Sequence, residues 1–369
     1  MSMKSRMETS SMTGQINGMS KRLLAEFLHP NVSNTHMMKI LPLVSIITPV
    51  YNAQDTLERT LLSLRRQTYG HIEFICVNDA SSDLSLAMLH VFAHAVDGRE
   101  GFTVKIISHP QNKGVSAARN TGLNHASGQF ILYVDADDSL ETDAVESCVQ
   151  EALRTGADIV YFQWCLVFQN SERTMLQPTC ATPLEAIQAM LAGRMRWNLW
   201  LFMVRRSLYE AYSIRFIPGA NMGEDLLVTL KLFVHATHIC LLDRVLYHYR
   251  QDNAGSISKT FSTQHMREVE TNIGEIERYL GASQYASAIG PGIDFLKLTI
   301  KLPLLVTGQK SDYIRWTNWF SSSDRYILQN RSASLHTRLL QWFASKRQYW
   351  AVRMYHLLLL RVFYGIIYK

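Results

Sequence analysis

Three carboxylates follow an apolar run in the first half of the chain. The run at 130–134 is apolar, and Asp135, Asp137 and Asp138 come directly after it. An apolar run of this length predicts a buried strand. Open α/β sheets bind ligands at the carboxyl ends of their strands, and cations such as Mg²⁺ and Mn²⁺ prefer oxygen ligands. The pattern therefore predicts a metal site at the mouth of a crevice, where the cation can hold a diphosphate.

Two more polar clusters follow predicted strands, and a third lies in the loop at 112–122. In a parallel sheet the carboxyl ends share one edge, so the clusters are expected to meet there. The loop offers backbone N–H groups and a guanidinium to an anion. A nucleotide-sugar site needs a carboxylate, a flat side chain for stacking and a cation, which Asp79, Tyr51 and Asp137 can supply. The clusters contain Thr48, Pro49, Tyr51 and Asn52, then Asp79 and Ser81, then Lys113 and Arg119.

Apolar runs alternate with helical periodicity between residues 43 and 168. This alternation predicts an α/β fold with a parallel sheet. Asn52 is predicted to cap the first helix. After residue 168 the pattern is less regular, with helices predicted at 184–191 and 226–233 and a mainly helical region from 262. The predicted strands lie at 43–50, 72–77, 104–107, 130–134 and 159–168, and the helices between them contain Leu57 to Leu64, 84–93, 115–126 and 143–154.

The order of these motifs resembles that of family 2 glycosyltransferases with the GT-A fold. The resemblance covers about residues 42–260. It implies a GT-A-like, Rossmann-related, mostly parallel sheet flanked by helices, with a helical C-terminal extension. The expected organisation is a mobile N-terminal extension at 1–40, a catalytic domain at 41–261 and a helical region at 262–369. The catalytic domain would have a nucleotide-binding half at 42–168 and an acceptor half at 169–261. The motifs are 44–52, 77–83, 112–122, 133–138, 197–199, 215–216, 223–227, 247–250 and 256–258.

The resemblance also implies roles for single residues on the donor side. Asp79 is implied to contact the nucleobase, with Tyr51 and Arg119 lining the same pocket. Asp135 and Asp137 are implied to face the ribose and a divalent metal, Mn²⁺ or Mg²⁺, with Asp137 as the direct ligand. Asp138 is implied to assist or to cap a helix. The other predicted nucleotide-sugar-binding residues are Thr48, Pro49, Ser81, Lys113 and Ala136, together with Arg250 and Ser256 at the diphosphate.

The sequence Gly223-Glu224-Asp225 resembles the acidic motif on the acceptor side of the family, where a carboxylate is the general base. An acceptor hydroxyl must lose its proton as it attacks the anomeric carbon, and a carboxylate in hydrogen-bond reach can take it. Because a metal can stabilise the departing diphosphate, one base suffices. Asp225 is the predicted base and Glu224 its substitute. The alternative is that this pair only provides the acidic first turn of a helix.

Two aromatic segments add further candidates. His248 stands between two tyrosines, where it is either a packed, hydrogen-bonded residue or a metal ligand. Trp197 is either a core residue or a platform for the acceptor sugar. Both interpretations are kept for each residue.

The charge of the chain is concentrated at its C-terminal end. The net charge is +6, and residues 311–369 hold nine Lys or Arg and two Asp. Near the end these cations alternate with aromatic residues, which predicts either an interfacial helix on an anionic membrane or a segment that packs on the catalytic domain. No nucleic-acid recognition motif accompanies the charge, so nucleic acid is not an expected partner.

Cysteine use and hydropathy indicate the cell compartment. The five cysteines are an odd number and form no C-x-x-C pair, which is typical of a reducing cytosol. No signal peptide and no run of about 18 apolar residues is found. The expected localisation is cytoplasmic and peripheral on the inner face of the cytoplasmic membrane.

The sequence therefore predicts an inverting, metal-dependent hexosyl- or N-acetylhexosaminyltransferase for surface polysaccharides such as capsule or lipopolysaccharide. The donor is expected to be a UDP sugar, and the acceptor a glycan or a lipid-linked saccharide. One alternative is a non-catalytic scaffold at the membrane that only binds the nucleotide sugar. Another is a nucleotidyltransferase, which would leave the 223–227 motif unexplained and for which no G-x-x-x-x-G-K-[ST] loop is present.

Overall fold

The computed structural model of the chain describes residues 41–251 and 262–357. The predicted extension at 1–40, the predicted diphosphate contact Ser256 and the tail beyond residue 357 lie outside the described residues. Within the described ranges the chain contains a nine-stranded sheet and thirteen α-helices.

Four parallel strands form the first half of the sheet, and three helices connect them. The strands are β1 (Val44–Val50), β2 (Ile72–Asn78), β3 (Phe102–Ser108) and β4 (Phe130–Tyr133), and the helices are α1 (Leu57–Arg65), α2 (Ser85–Val96) and α3 (Val115–His125). The strand order is β3-β2-β1-β4. Strands β1, β2 and β4 are almost entirely buried, as expected of parallel strands that are covered on both faces. The predicted alternation of strands and helices is confirmed in this half.

Five further strands extend the sheet beyond β4. They are β5 (Ser139–Leu140), β6 (Ile159–Val167), β7 (Glu172–Met175), β8 (Phe202–Arg205) and β9 (Ile239–Arg250). The order continues from β4 through β8, β6 and β9 to β5, and β7 pairs with the C-terminal half of β6. The pair β6–β9 is parallel, whereas β4–β8, β6–β8, β6–β7 and β5–β9 are antiparallel. The second half of the sheet is therefore mixed, and of its strands β6 was predicted, at 159–168.

An aromatic cluster fixes the position of β9. The ring of Trp200 stacks on that of Tyr247 with centroids 4.2 Å apart, and Trp164 packs edge-on against Trp200 at 5.2 Å. Trp200 and Tyr247 are fully buried. Aromatic pairs of this kind each contribute about 0.5–1.5 kcal/mol beyond the burial of their area. The cluster therefore holds the strand whose C-terminal end reaches the acidic turn after β4.

The remaining helices follow the apolar periodicity of the second half. They are α4 (Ala144–Thr155), α5 (Pro183–Leu191), α6 (Arg206–Ala211), α7 (Glu224–His235), α8 (Thr263–Gly281), α9 (Ala286–Ile289), α10 (Gly292–Lys301), α11 (Lys310–Asn318), α12 (Leu335–Ser345) and α13 (Tyr349–Tyr355). The predicted helical character after residue 262 is thus observed in the described part. No described helix is both long enough and apolar enough to cross a membrane.

The described chain divides into two compact units. The first contains the sheet and comprises the described parts of Met1–Pro183 and Trp197–Arg278. The second comprises Leu184–Arg196 and the described part of Tyr279–Lys369. These limits differ from the sequence-based boundary near residue 261, because most of α8 belongs to the sheet unit and most of α5 belongs to the helical unit.

Candidate active site

The polar clusters that follow β1, β2 and β4 lie at one edge of the sheet. Strand β1 is the common neighbour of β2 and β4, and all three run in the same direction. Their carboxyl ends are followed by Tyr51, Asp79 and Asp135 respectively. The ring of Tyr51 is 53% exposed, which leaves it free for stacking, whereas Asp79 is buried. The parallel half of the sheet therefore brings these clusters to one edge.

The loops after β1 and β2 are fastened to each other. The backbone N–H of Asn52 donates to Ser81 Oγ at 3.0 Å, and the N–H of Ser82 donates to Asn52 Oδ1 at 2.9 Å. Asn52 has a positive φ of 46°, a conformation that asparagine tolerates better than most residues. Helix α1 begins only at Leu57, so the prediction that Asn52 caps it is wrong. Its side chain instead joins two loops of the sheet edge.

Asp79 organises the loop before α3. Its carboxylate accepts hydrogen bonds from the backbone N–H groups of Lys113 at 2.9 Å and Gly114 at 2.8 Å. Its Oδ1 also lies 2.6 Å from His109 Nδ1, and His109 Nε2 lies 2.9 Å from Thr121 Oγ1. The N–H groups that the sequence analysis assigned to a ligand anion are thus directed at this carboxylate.

Gly114 is required for a close approach to the segment before α7. Its φ is +84°, and a Cβ at this position would lie 2.4 Å from Asn221 Nδ2. The Oδ1 atom of Asn221 in turn accepts from the N–H of Ser116 at 3.1 Å, in the first turn of α3. Only a residue without a side chain fits here, and the contact joins α3 to the acceptor-side motif.

Two asparagines fix the chain that leads into α7. The side chain of Asn120 donates to the carbonyl of Phe216 at 2.9 Å and accepts from its N–H at 3.0 Å. Asn272 of α8 donates to the carbonyl oxygens of Ala220 at 3.2 Å and Met222 at 2.8 Å. These bonds satisfy backbone groups of a segment that is buried at Phe216 and Ala220. They set the position at which α7 starts.

Arg119 joins carboxylates from two distant parts of the chain. Its Nη1 donates to Glu224 Oε1 at 2.7 Å and to Asp225 Oδ1 at 2.5 Å, and its Nη2 donates to Asp135 Oδ1 at 3.1 Å. The guanidinium side chain is only 4% exposed. The nearby carboxylates raise its pKa despite burial, so it stays charged. In this structure Arg119 pairs with protein carboxylates, whereas the sequence analysis directed it at a ligand anion.

The acidic turn after β4 is held by β9. Tyr247 Oη donates to Asp138 Oδ2 at 2.8 Å and accepts from the N–H of Asp135 at 3.2 Å. The N–H of Arg250 donates to Asp138 Oδ1 at 2.9 Å. Asp138 is fully buried, and burial together with the charges of Asp137 and Asp135 raises its pKa well above the usual range. Asp138 therefore has a structural role, and Asp135 and Asp137 are left on the accessible side of the turn.

This edge of the sheet has several carboxylates but a single buried cation among its described residues named above, Arg119. Burial raises the pKa of Asp135 to about 6. Arg119 opposes this rise, while the charges of Asp225 and Asp137 add to it. Burial and the charge of Asp225 also raise the pKa of Glu224 well above its usual range. Such an excess of negative charge with oxygen donors fits a hard divalent cation, with Asp137 and Asp135 as the residues that would hold it.

The structure does not bring His248 together with Asp135 and Asp137. Among the described residues, the group that places three metal-binding atoms within 4.8 Å of one another is Cys165, Glu172 and His248. His248 Nε2 also lies 2.7 Å from Glu141 Oε1. His248 is thus part of a separate cluster, which corrects its assignment to the metal of the acidic turn. Strand pairing between β9 and β6 causes this, since His248 lies opposite Cys165.

The other predicted site residues are found in several environments. Thr48 is buried in β1 and its hydroxyl makes no hydrogen bond. Pro49 is paired with Val77 within the sheet, and the carbonyl of Ala136 accepts from Thr56 Oγ1 at 3.1 Å. The side chain of Lys113 is exposed. Trp197 is partly exposed, and its carbonyl accepts from Thr229 Oγ1 at 2.9 Å, while Trp200, which follows this motif, is the packed tryptophan.

The parallel half-sheet, its mixed extension and the acidic edge define a GT-A fold. The solved structure of S. aureus TarS 1-349 in complex with UDP-GlcNAc matches this fold with a TM-score of 0.66. The match is 18% identical and covers 85% of this chain and 90% of that chain. Residues 45–224 match the model of the glycosyl transferase family 2.

Two bacterial glycosyltransferases match part of the chain. The chain is 33% identical over 223 residues to the uncharacterized glycosyltransferase EpsJ of Bacillus subtilis, covering 58% of this chain and 62% of EpsJ. It is also 33% identical over 129 residues to the UDP-Glc:alpha-D-GlcNAc-diphosphoundecaprenol beta-1,3-glucosyltransferase WfgD of Escherichia coli, covering 35% of this chain and 48% of WfgD. The matches thus span about half to three fifths of these relatives.

Proposed function

We propose that the chain is an inverting, metal-dependent glycosyltransferase that uses a UDP sugar to extend a glycan or lipid-linked saccharide in surface polysaccharide biosynthesis. The observation that carries the proposal is the set of contacts around Arg119. This side chain binds Asp135 of the donor edge and Asp225 of the acceptor-side motif within hydrogen-bond distance. The buried guanidinium of Arg119 therefore contacts carboxylates on both the proposed donor side and the proposed acceptor side.

The acceptor-side base of the proposal is Asp225. The side chain of Asp225 is 15% exposed. The side chain of Glu224 is 10% exposed, and burial raises the pKa of the Glu224 carboxyl well above the usual range. A base must reach the acceptor hydroxyl and be deprotonated before the attack. Asp225 is the more exposed of the two and is therefore the residue to which we assign this role. Direct attack by an activated hydroxyl inverts the anomeric centre.

The donor end of the site is assigned to the loops that the fold fastens together. Tyr51 offers an exposed ring for the base, and the loop held by Asp79 closes the same edge. A divalent cation at Asp137 and Asp135 would neutralise the diphosphate as it leaves. The UDP part of the proposal is supported by the TarS structures in complex with UDP-GlcNAc and UDP and by WfgD, a UDP-Glc:alpha-D-GlcNAc-diphosphoundecaprenol beta-1,3-glucosyltransferase.

A panel of nucleotide sugars tests the proposed function. The full chain with Mn²⁺ is incubated with UDP-glucose, UDP-galactose, UDP-GlcNAc and UDP-GalNAc, and with GDP-mannose for comparison. We expect at least one UDP sugar to raise the melting temperature and to release UDP slowly by hydrolysis, since a ligand that binds only the folded state stabilises it. Stabilisation without any release in the presence of acceptor extracts would favour the non-catalytic scaffold. Absence of any effect across the panel would contradict the proposal.

We further propose that the helices α12 and α13 associate with an anionic membrane that carries the acceptor. Leu335 and Leu339 are 64% and 43% exposed and lie one turn apart on α12, and Trp350 and Met354 are 70% and 48% exposed on α13. No Asp or Glu follows Asp324 in the sequence, whereas eight Lys or Arg do. Exposed apolar groups beside unopposed cations are typical of interfacial helices.

Liposome co-sedimentation tests this association. We expect the full chain to sediment with vesicles that contain phosphatidylglycerol and not with vesicles of phosphatidylcholine alone. Substitution Trp350→Ser should reduce the bound fraction, and added salt should reduce it further, because charge attraction is screened. Equal sedimentation with both kinds of vesicle would contradict the proposal.

A further inference from the structure

A second group of ligand-type side chains lies across three neighbouring strands. Cys165 of β6, Glu172 of β7 and His248 of β9 place a sulfur, a carboxylate oxygen and an imidazole nitrogen within 4.8 Å of one another. The proposed transfer reaction does not use these residues. In the register of the sheet Cys165 lies directly opposite His248. Strand hydrogen bonds therefore fix the spacing of the group.

A fourth donor touches the same imidazole. Glu141, directly after β5, places Oε1 2.7 Å from His248 Nε2. Glu172, Cys165 and His248 lie on β7, β6 and β9. Glu141 follows β5, which is the neighbour of β9. The side chains of His248 and Glu141 are 24% and 43% exposed, so an ion can reach the group from solvent. Cys165 closes the group on its buried side.

The distances fit a tetrahedral ion after small side-chain shifts. Zn²⁺ binds sulfur at about 2.3 Å and nitrogen or oxygen at about 2.0–2.2 Å, which places its ligand atoms roughly 3.3–3.8 Å apart. Cys165 Sγ and Glu172 Oε2 are 4.0 Å apart. This pair needs a change of only a few tenths of an ångström, and the other two distances, each at most 4.8 Å, need side-chain shifts of no more than about 1.5 Å.

The donor types distinguish this group from the acidic edge. Sulfur and imidazole donors select borderline cations such as Zn²⁺, whereas carboxylates alone suit Mg²⁺ and Mn²⁺. Of the five cysteines, Cys165 is the one that shares its surroundings with an imidazole and a carboxylate in the described part of the chain. The two places are therefore expected to differ in the metal that they take.

We propose that Cys165, Glu172 and His248 bind a Zn²⁺ ion. Glu141 lies outside this group and holds the imidazole ring in place through His248 Nε2. Binding replaces the S–H bond of Cys165 with an S–Zn bond, and the released proton goes to solvent. The ion ties β7 and β6 to β9, the strand on which Tyr247 holds the acidic turn through Asp138. Zinc at this place stabilises the support of the acidic turn without entering it.

Zinc titration of the full chain tests the inference. The protein is first stripped with a chelator and then titrated with ZnCl₂ in a large excess of Mg²⁺, which occupies sites made of oxygen alone. The substitution Asp137→Asn is included so that the acidic turn contributes less to the signal. We expect one equivalent of tightly bound zinc and a higher melting temperature, in both the wild-type chain and the Asp137→Asn variant.

Three substitutions distinguish zinc binding at this site from nonspecific binding of zinc to thiols. Cys165→Ser and Glu172→Gln should each weaken zinc binding by at least about tenfold, since each removes a ligand. Glu172 is exposed, so its variant is expected to fold even if Cys165→Ser does not. The matched control is Cys240→Ser, because Cys240 Sγ also lies near a carboxylate, at 2.9 Å from Glu151, without a third ligand group. Equal zinc affinity in Glu172→Gln and Cys240→Ser, or no zinc binding by the wild-type chain, would overturn the inference.

Discussion

Replacing Asp225 with Asn is expected to abolish most of the sugar transfer while the donor still binds. A positioned general base contributes about 10²–10⁴-fold to rate, so kcat should fall by about that factor. The amide keeps the size of the side chain, and Arg119 retains Glu224 and Asp135 as partners. The measurement is the rate of UDP release with acceptor, together with the affinity for UDP, which should change by no more than a few fold.

The matched control for this substitution is Glu224→Gln. Glu224 precedes Asp225, is equally bound to Arg119 and is more deeply buried. Because Glu224 is buried and accepts a hydrogen bond from Arg119, its replacement should affect stability more than the chemical step. Transfer by Asp225→Asn within about tenfold of wild type, with an inactive Glu224→Gln, would show that Glu224 is the base.

Replacing Arg119 with Met is expected to destabilise the folded chain strongly. The substitution leaves three carboxylates close together with their shared cation removed, and breaking a buried ion pair from one side costs about 3–5 kcal/mol. Transfer should be lost as well, because Asp225 loses the contact that orients it. Chemical denaturation followed by circular dichroism measures the loss. Arg119→Lys should recover only part of it, since an ammonium cannot reproduce the planar fork of donors.

A surface arginine provides the comparison. Arg244 donates to Asp143 at 2.8 Å, but its side chain is 47% exposed, so solvent screens the pair. Arg244→Met should leave the unfolding transition nearly unchanged. If Arg119→Met and Arg244→Met unfold at the same denaturant concentration, Arg119 does not hold the carboxylates in the manner described.

The parallel half of the fold could be predicted because its signals are local. Strand β4 is a continuous apolar run, and helix α1 repeats Leu57, Leu61 and Leu64 at helical spacing. Strands β8 and β9 gave no such signal. β8 has only four residues, and β9 carries Asp243 and Arg244 in its middle, near the irregular register that it shares with β6. Charged residues at these places interrupt the apolar run on which strand prediction depends.

The candidate site was predictable to the extent that each residue follows a strand. Asp79 and Asp135 can be predicted as site residues because each follows an apolar run. Their partners are not, because His109 is 30 residues from Asp79, and Tyr247 is 109 residues from the Asp138 that it holds. Such contacts depend on the tertiary fold and leave no spacing pattern in the sequence. The same reason explains His248, whose neighbours are set by strand pairing.

The most direct test of the central claim is the effect of Mn²⁺ on UDP binding by the full chain. Calorimetric titration of UDP should show at least about a tenfold higher affinity with Mn²⁺ than without it, which corresponds to about 1.4 kcal/mol. Asp137→Asn should remove this gain while binding in the absence of metal persists. The same UDP affinity with and without Mn²⁺, or an unchanged gain in Asp137→Asn, would contradict an acidic edge that binds the donor through a divalent cation.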